Sequence, residues 1–199
     1  AHAKARDAVH LPLDVGGLTD ALRALGLEVL SLHSAAVDRH AYLQRPDLGR
    51  RLDAASQAVL AQRPATQPVD LALVVADGLS ALGVMQNAVP LLQHLLALQR
   101  ADAVQTWSLA PAVVVEQGRV AIGDPIGAAL NAHTVVVLIG ERPGLSSPDS
   151  LGLYFTWAPR EGLSDAQRNC ISNVREAGLS PARAARKLHA LLSRARALR

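Results

Sequence analysis

The second half of the chain carries its apolar residues in short runs. LALVVA at 71–76 is apolar at every position, and TVVVLI at 134–139 is nearly so. Strands that are buried on both faces have this composition, because neither row of side chains meets water. The pattern predicts buried strands at these two positions, further strands at 104–115 and 151–159, and a short return strand at 120–122.

Helical patterns with cap residues lie between the predicted strands. Ser80 is placed to cap a helix that runs to about Arg100, and Asp124 to cap one through Leu130. A last helix is expected after Ser180, where a proline takes the first helical position. Because strands alternate with helices, a parallel, doubly wound sheet is expected.

The first 62 residues lack such apolar runs and are interpreted as helical and irregular. Thr19 is expected to cap a short helix that Gly26 ends, and a second helix is expected from about Gly49. The apolar face of this second helix would be Leu52, Ala55 and Val59. The Pro-rich polar stretch RPATQPVD, at 63–70, is interpreted as a linker between the two parts of the chain.

Composition and charge narrow the class of protein. Half of the 199 residues are hydrophobic but only 3% are aromatic, so the core is expected to consist of Leu, Val, Ala and Ile. The net charge of +3 is mildly basic and does not require a nucleic-acid partner. Cys170 is the only cysteine, which excludes an intrachain disulfide and favours a reducing compartment. No apolar run approaches the roughly 20 residues of a spanning helix, and the start lacks the apolar segment of a signal peptide. A cytoplasmic protein without a membrane partner is expected.

Common catalytic and ligand-binding motifs are missing from the sequence. It contains no G-x-G-x-x-G after a strand, no G-x-x-x-x-G-K-[ST] and no G-x-S-x-G. The seven histidines are scattered, so no zinc site is predicted. Asp38-Arg39-His40 begins the D-x-H-x-x-G pattern by which some corrinoid proteins offer a histidine to cobalt, but Leu43 replaces the glycine. His40 is therefore interpreted as a surface or interface residue.

Two predicted strands end in glycine and a carboxylate. Asp77-Gly78 follows the first, and Gly140-Glu141 follows the second. In open α/β sheets, ligands bind beyond the carboxyl ends of the strands, where a glycine would let a ligand approach the backbone. The alternative is a solvated loop in which Glu141 pairs with Arg142 or with nothing. By residue type alone, Cys170 would be a small buried hydrophobe.

Five longer stretches carry a resemblance to a known family. They are YLQRPDLGRRL (42–52), VVADGLS (74–80), GRVAIGDPIG (118–127), VVVLIGERPGLSSPDSLGLYFTWAPR (135–160) and RNCISNVREAGLSPARAARKL (168–188). Together they resemble the small (light) subunit of ethanolamine ammonia-lyase, an enzyme that depends on adenosylcobalamin. The similarity covers nearly the whole chain, although the family usually has more residues before this start.

The resemblance implies an α/β fold with a helical N-terminal domain, residues 1–68, followed by a Rossmann-like, mostly parallel three-layer α/β/α domain, residues 69–199. It implies assembly with a large TIM-barrel subunit, six of each chain, which binds ethanolamine and carries the catalytic groups. Cobalamin would lie between the two chains, base-on, with no cobalt ligand from this chain. The enzyme would be cytoplasmic, with a bacterial microcompartment as a further possibility. No nucleic acid is implied.

The family's cobalamin contacts fall on Val120 of GRVAIGD, Glu141 of GERPG and Cys170 of RNCIS. Glu141 is expected to accept hydrogen bonds from the amides of the corrin rim and to contribute little to folding. Weaker candidates, chosen by position only, are Asp77, Ser80 and Arg142. Two other functions stay open. One is a stand-alone α/β domain that binds a small molecule without catalysis, and the other is a basic protein that binds RNA or acidic lipid through its last helix.

Overall fold

A computed structural model of the chain describes residues 9–64, 67–144 and 147–198, and in it six strands form a single sheet. The strands are β1 (Val29–His33), β2 (Val69–Ala76), β3 (Ala112–Glu116), β4 (Ala132–Gly140), β5 (Leu151–Trp157) and β6 (Arg168–Val174). Their order across the sheet is β1-β3-β2-β4-β5-β6. The first four strands are parallel, whereas β5 and β6 are each antiparallel to their neighbours. The fold is therefore mixed α/β with a mostly parallel sheet.

Helices cover both faces of the sheet. They are α1 (Val15–Ala24), α2 (Arg39–Gln44), α3 (Ala54–Ala61), α4 (Ala81–Ala101), α5 (Gly123–Ala129) and α6 (Pro181–Ala197). Leucines of α1, α4 and α6 pack in one core layer with alternate side chains of the strands. The other layer contains Leu60 of α3 and Ile126 of α5. Because aromatic residues are few, close packing of Leu, Val, Ile and Ala fills both layers, as expected from the composition.

The first 62 residues are not only helical and irregular, as expected, because they also contain β1. This strand pairs in parallel with β3, so the sheet extends across the expected domain boundary. Only one of its five residues is buried, which leaves a weak apolar signal in the sequence. Of the expected linker 63–70, residues 65–66 lie outside the described part of the chain and Val69 and Asp70 belong to β2. The division into domains 1–68 and 69–199 stays a prediction.

The two N-terminal helices begin at other residues than expected. Asp14, not Thr19, caps α1 through the backbone N–H of Gly17, and Thr19 is buried within the helix. Asp53 caps α3, so this helix begins at Ala54, five residues after the expected start at about Gly49. Because of this shift, a different face of the helix is buried, namely the one that carries Ser56 and Leu60. Ala55 and Val59, which were expected on the apolar face, are exposed.

The buried strands and the long helices of the second half are confirmed. LALVVA forms most of β2 and TVVVLI most of β4, and Ser80 caps α4. The predicted return strand at 120–122 is wrong, since Val120–Ile122 forms a 3₁₀ turn. The strand predicted at 104–115 is limited to β3. Strand β6 was not predicted, because most of its side chains are polar and exposed.

Helix α4 is the longest helix of the described chain, with 21 residues including Pro90. It is also the one helix, among the residues that the structure describes, that is long and apolar enough to cross a membrane. Leu91, Leu92 and Leu95 are fully buried in the core layer that it shares with the sheet. Its apolar composition is that of a core helix.

Candidate functional site

The carboxyl ends of the parallel strands meet the start of β5 and the end of β6 at one end of the sheet, which we call the carboxyl-end edge. Gly140, the last residue of β4, pairs with Leu151, the first of β5. Leu151 in turn pairs with Val174, the last residue of β6. The loops after β2, β3 and β4 therefore share this edge with the start of β5 and the end of β6.

Glu141 links the three strands β4, β5 and β6 at this edge. Its backbone N–H donates to the carbonyl oxygen of Ser150 at 2.9 Å. Its Oε2 accepts from the hydroxyl of Ser150 at 2.5 Å and from the backbone N–H of Asn173 at 3.1 Å. Within the described residues no ion pair joins Glu141 to Arg142, and Oε1 accepts no hydrogen bond. Glu141 as a whole is half-buried.

Cys170 lies next to Tyr154 on the adjacent strand, and the two residues are register partners on one side of the sheet. Contrary to the expectation from residue type, Cys170 is exposed, with its Sγ 3.2 Å from the hydroxyl of Ser172. Burial, with the neighbouring Cys170 and Glu141 groups, raises the pKa of Tyr154 to about 12. The Tyr154 hydroxyl therefore keeps its proton near neutral pH.

Val120 begins the 3₁₀ turn beyond the end of β3, where the N-terminal part of the chain contacts it. The N–H of Arg119 donates to the carbonyl oxygen of Gly49 at 2.7 Å, and its guanidinium donates to that of Tyr42 at 2.9 Å. The same guanidinium lies over the Tyr42 ring, 4.3 Å from the centroid. Val120 itself is half-buried and packs on the core layer to which Tyr154 also belongs.

The structure therefore places the three predicted contacts on one side of the sheet. Glu141 and Cys170 meet around Tyr154, a residue that sequence reasoning missed because a lone tyrosine in a strand is ordinary core composition. Val120 lies further along, since β2 separates β3 from β4. β3 and β6 are four strand spacings apart, which is roughly 19 Å measured across the sheet. Only a large ligand could touch Val120, Glu141 and Cys170 together.

The glycine at the end of β4 has a different role from the one expected. Gly140 accepts a hydrogen bond from the N–H of Leu79 at 2.9 Å. A Cβ at Gly140 would collide with the carbonyl oxygens of Asp77 and Ser80. The missing side chain gives room to the neighbouring loop of the protein, so the expectation that a ligand approaches the backbone there is wrong.

Two of the three weaker candidates are buried. Asp77 accepts from the N–H groups of Gly78 at 2.9 Å and Gly118 at 3.1 Å. Burial raises the pKa of its carboxyl, although these two donors act to lower it. Ser80 is fully buried and caps α4. Both residues serve the fold of the edge and neither is open to a ligand. Arg142 is exposed and stays a candidate.

The histidine of the D-x-H pattern lies on α2. Asp38 uses its carboxylate to cap this helix, accepting from the N–H of Ala41 at 2.7 Å. His40 is exposed. In the described part of the chain, no three His, Cys, Asp or Glu side chains come together as a metal site would require.

A cleft lies beside α5. It has a volume of about 1000 Å³ and lies between α3, α5 and the segment 161–165. Arginines such as Arg50 and Arg63 line one wall, and Glu161 and Asp165 line the other. Neither Glu141 nor Cys170 lines it, so the cleft is separate from the edge that carries these two residues.

Comparison with known proteins agrees with the resemblance. Residues 1–199 match the family described as "Ethanolamine ammonia-lyase light chain (EutC)". A protein of Pseudomonas aeruginosa (strain LESB58) named "Ethanolamine ammonia-lyase small subunit" is 60% identical over 98% of this chain and 71% of its own length. A protein of the same name from Ralstonia nicotianae is 61% identical over 98% of this chain and 72% of its own length. One from Pseudomonas fluorescens (strain SBW25) is 58% identical, with 98% and 70% covered.

Proposed function

The chain belongs to the ethanolamine ammonia-lyase light-chain family, and from this premise we propose that its edge of β4, β5 and β6 binds cobalamin against the large subunit. Membership makes the chain a subunit of an ammonia-lyase. The observation that carries the cofactor proposal is the placement of Glu141 and Cys170 around Tyr154, with Val120 on the same side of the sheet.

The donor set of this surface suits a corrin. The rim of the corrin carries amide groups, which donate through N–H and accept through their carbonyl oxygens. Oε1 of Glu141 is available as an acceptor, and the Tyr154 hydroxyl, which keeps its proton and interacts with Cys170, lies on the same surface. A Cβ at Gly152 would stand 3.0 Å from Oε1 of Glu141 and 3.1 Å from the ring of Tyr154. Because Gly152 has no side chain, the surface between Glu141 and Tyr154 stays open.

In this proposal the chain binds and orients, and the large subunit catalyses. Adenosylcobalamin, when bound, supplies a radical by homolysis of its Co–C bond, which is chemistry that the cofactor itself carries. Glu141 and main-chain groups near Val120 fix the corrin rim, while Cys170 and Tyr154 exclude water from its edge. The large subunit is a TIM barrel, binds ethanolamine and assembles with this chain as six of each. Cobalamin would stay base-on, since Leu43 breaks the D-x-H-x-x-G pattern around His40, and the enzyme would act in the cytoplasm or in a bacterial microcompartment.

Two neighbouring positions of β6 test the proposal. Cys170 and Asn169 are both exposed, but they lie on opposite faces of the sheet, since Asn169 pairs with Phe155 and Cys170 with Tyr154. Cys170→Trp fills the proposed contact surface and should weaken cobalamin binding by the complex with the large subunit. Asn169→Trp adds the same ring to the other face and should leave binding unchanged. Absorbance titration with hydroxocobalamin measures both, after size-exclusion chromatography has shown that each variant assembles.

Equal affinity of the parent and Cys170→Trp complexes would contradict the proposal. If Cys170→Trp does not assemble, alkylation of Cys170 in the parent complex replaces it, and added cobalamin should slow the reaction. An unchanged rate then counts against the contact. If the chain alone binds cobalamin as tightly as the complex does, a stand-alone binding domain is the better description.

A further inference from the structure

A buried ion pair links the two segments that carry Val120 and Cys170. Both terminal nitrogens of Arg168 donate to the carboxylate of Asp124, each at 2.7 Å. The side chains of Arg168 and Asp124 are 2% and 4% exposed. Such a two-point contact between a planar guanidinium and a carboxylate fixes orientation as well as distance.

The Arg168 guanidinium also reaches β5 and the segment that connects β5 to β6. It donates to the hydroxyl of Thr156 at 3.0 Å and to the carbonyl oxygen of Leu163 at 3.3 Å. Its Nε lies 3.3 Å from the carboxylate of Asp165. One side chain therefore joins α5, β5, β6 and the β5–β6 connection.

The position of this pair in the chain relates it to the proposed contacts. Asp124 stands in the first turn of α5, which follows the 3₁₀ turn of Val120 directly. Arg168 begins β6 two residues before Cys170. The two proposed contacts come from segments that are 50 positions apart in sequence, and the Arg168–Asp124 pair joins their neighbourhoods.

The Arg168–Asp124 pair fixes the relative orientation of its segments more than it stabilises the fold. Removing two charges from water costs several kcal/mol for each ion, and well-packed apolar residues of similar volume are often at least as stabilising. An apolar pair, however, would not fix the angle between α5 and β6, because dispersion contacts have little direction. The two-point contact of Arg168 with Asp124 does fix it, and the bonds to Thr156 and Leu163 hold the guanidinium in place.

We propose that Arg168 and Asp124 are positioning residues that hold the Val120 turn and the Cys170 strand at the separation that cobalamin requires. The inference rests on the proposed function. It predicts that loosening the pair weakens cobalamin binding even where the protein stays folded and assembled. A purely structural pair would change stability alone.

Arg168→Lys is the decisive variant, because it keeps the charge but replaces the two-point contact with a single ammonium. Arg196→Lys is the matched control. Arg196 also reaches a buried aspartate, with its Nε 3.4 Å from Asp70, and donates to the carbonyl oxygen of Thr106 at 2.7 Å. Asp70 stands at the amino-terminal end of β2, whereas the proposed contacts lie at the carboxyl-end edge. For each variant, assembled with the large subunit, hydroxocobalamin affinity and the thermal midpoint are measured.

We expect Arg168→Lys to bind hydroxocobalamin about tenfold more weakly, comparable to the loss of an outer-shell partner at a metal site. Arg196→Lys should lower the thermal midpoint and leave affinity unchanged. Asp124→Asn, which keeps the shape and one acceptor, should fall between the parent and Arg168→Lys in affinity. If Arg168→Lys does not assemble, Asp124→Asn decides alone.

Unchanged affinity in a folded Arg168→Lys complex, or an equal loss in Arg196→Lys, would overturn the positioning role. Failure of the proposed function looks different. In that case Cys170→Trp binds cobalamin as tightly as the parent, whatever the Arg168 variants do.

Discussion

At the scale of single residues, the Glu141 carboxylate has a structural role beside the binding role proposed for it. Oε2 accepts from Ser150 and Asn173 inside the protein, and the proposal assigns Oε1 to the cofactor. A hydrogen bond to a charged group contributes roughly 1.5–3 kcal/mol. The expectation that Glu141 contributes little to folding therefore does not agree with its contacts.

We expect Glu141→Ala to lower both the stability of the protein and its affinity for cobalamin. The stability loss should be about 1.5–3 kcal/mol, because Ser150 and the Asn173 N–H lose their acceptor. Glu141→Gln keeps a carbonyl acceptor and should do less harm on both counts. Urea unfolding and cobalamin titration of the assembled complex measure the two effects. Glu176→Ala, at an exposed glutamate, is the control and should change neither. A Glu141→Ala variant with the parent's affinity would leave Glu141 a structural residue only.

At the scale of elements, the start of α4 positions the segment that holds Glu141. The Ser80 hydroxyl accepts from the N–H of Gly83 at 3.0 Å and donates to the carbonyl oxygen of Pro148 at 2.6 Å. The Asn87 side chain donates to the carbonyl oxygen of Asp149 at 2.8 Å. The helix thereby fixes the residues just before Ser150, which in turn donates to Glu141.

Two serines at helix starts give a matched comparison. Ser80→Ala removes a buried cap and leaves the carbonyl oxygen of Pro148 without its donor, so we expect a loss of about 1–3 kcal/mol. Ser180 precedes α6, but its side chain makes no cap hydrogen bond. Ser180→Ala should therefore change stability by no more than about 0.5 kcal/mol. The urea midpoints of the two variants in the assembled complex decide, and equal midpoints would contradict the assignment of the cap.

At the scale of the whole molecule, burial affects both tyrosines of the chain, since Tyr42 is fully buried and Tyr154 is half-buried. Burial raises the pKa of Tyr42 to about 12, and burial together with Cys170 raises that of Tyr154 to about 12. Tyrosine in an unfolded chain ionises near pH 10. The folded chain therefore holds two protons that the unfolded chain releases.

The sign of the resulting pH dependence follows from this difference. Below about pH 10 both states keep the protons, and the stability that they contribute is fully present. Between about pH 10 and pH 12 only the unfolded state ionises, so stability should fall as pH rises. Nuclear magnetic resonance of the chain with carbon-13-labelled tyrosine rings should show no ionisation in the folded protein near pH 10. A normal titration of either ring while the protein stays folded would contradict the burial of that ring.

The sequence by itself determined the elements whose signal is local. β2 and β4 were predicted because their side chains are buried on both faces, which requires unbroken apolar runs. Helix α4 was predicted from its cap at Ser80. The motifs GERPG and RNCIS made Glu141 and Cys170 candidate cobalamin contacts through the family resemblance, and that assignment stays a prediction.

Only the tertiary structure decided what depends on distant partners. β1 and β6 lie at the two edges of the sheet, where exposed polar residues are tolerated, so neither has a strong apolar pattern. Val29 of β1 pairs with Ala112, a residue more than 80 positions later. Arg168 likewise meets Asp124, 44 positions earlier, only because the fold brings the start of α5 within reach of β6. Periodicity describes which side of an element is apolar, but the neighbour that each side meets is set by the packing of the whole chain.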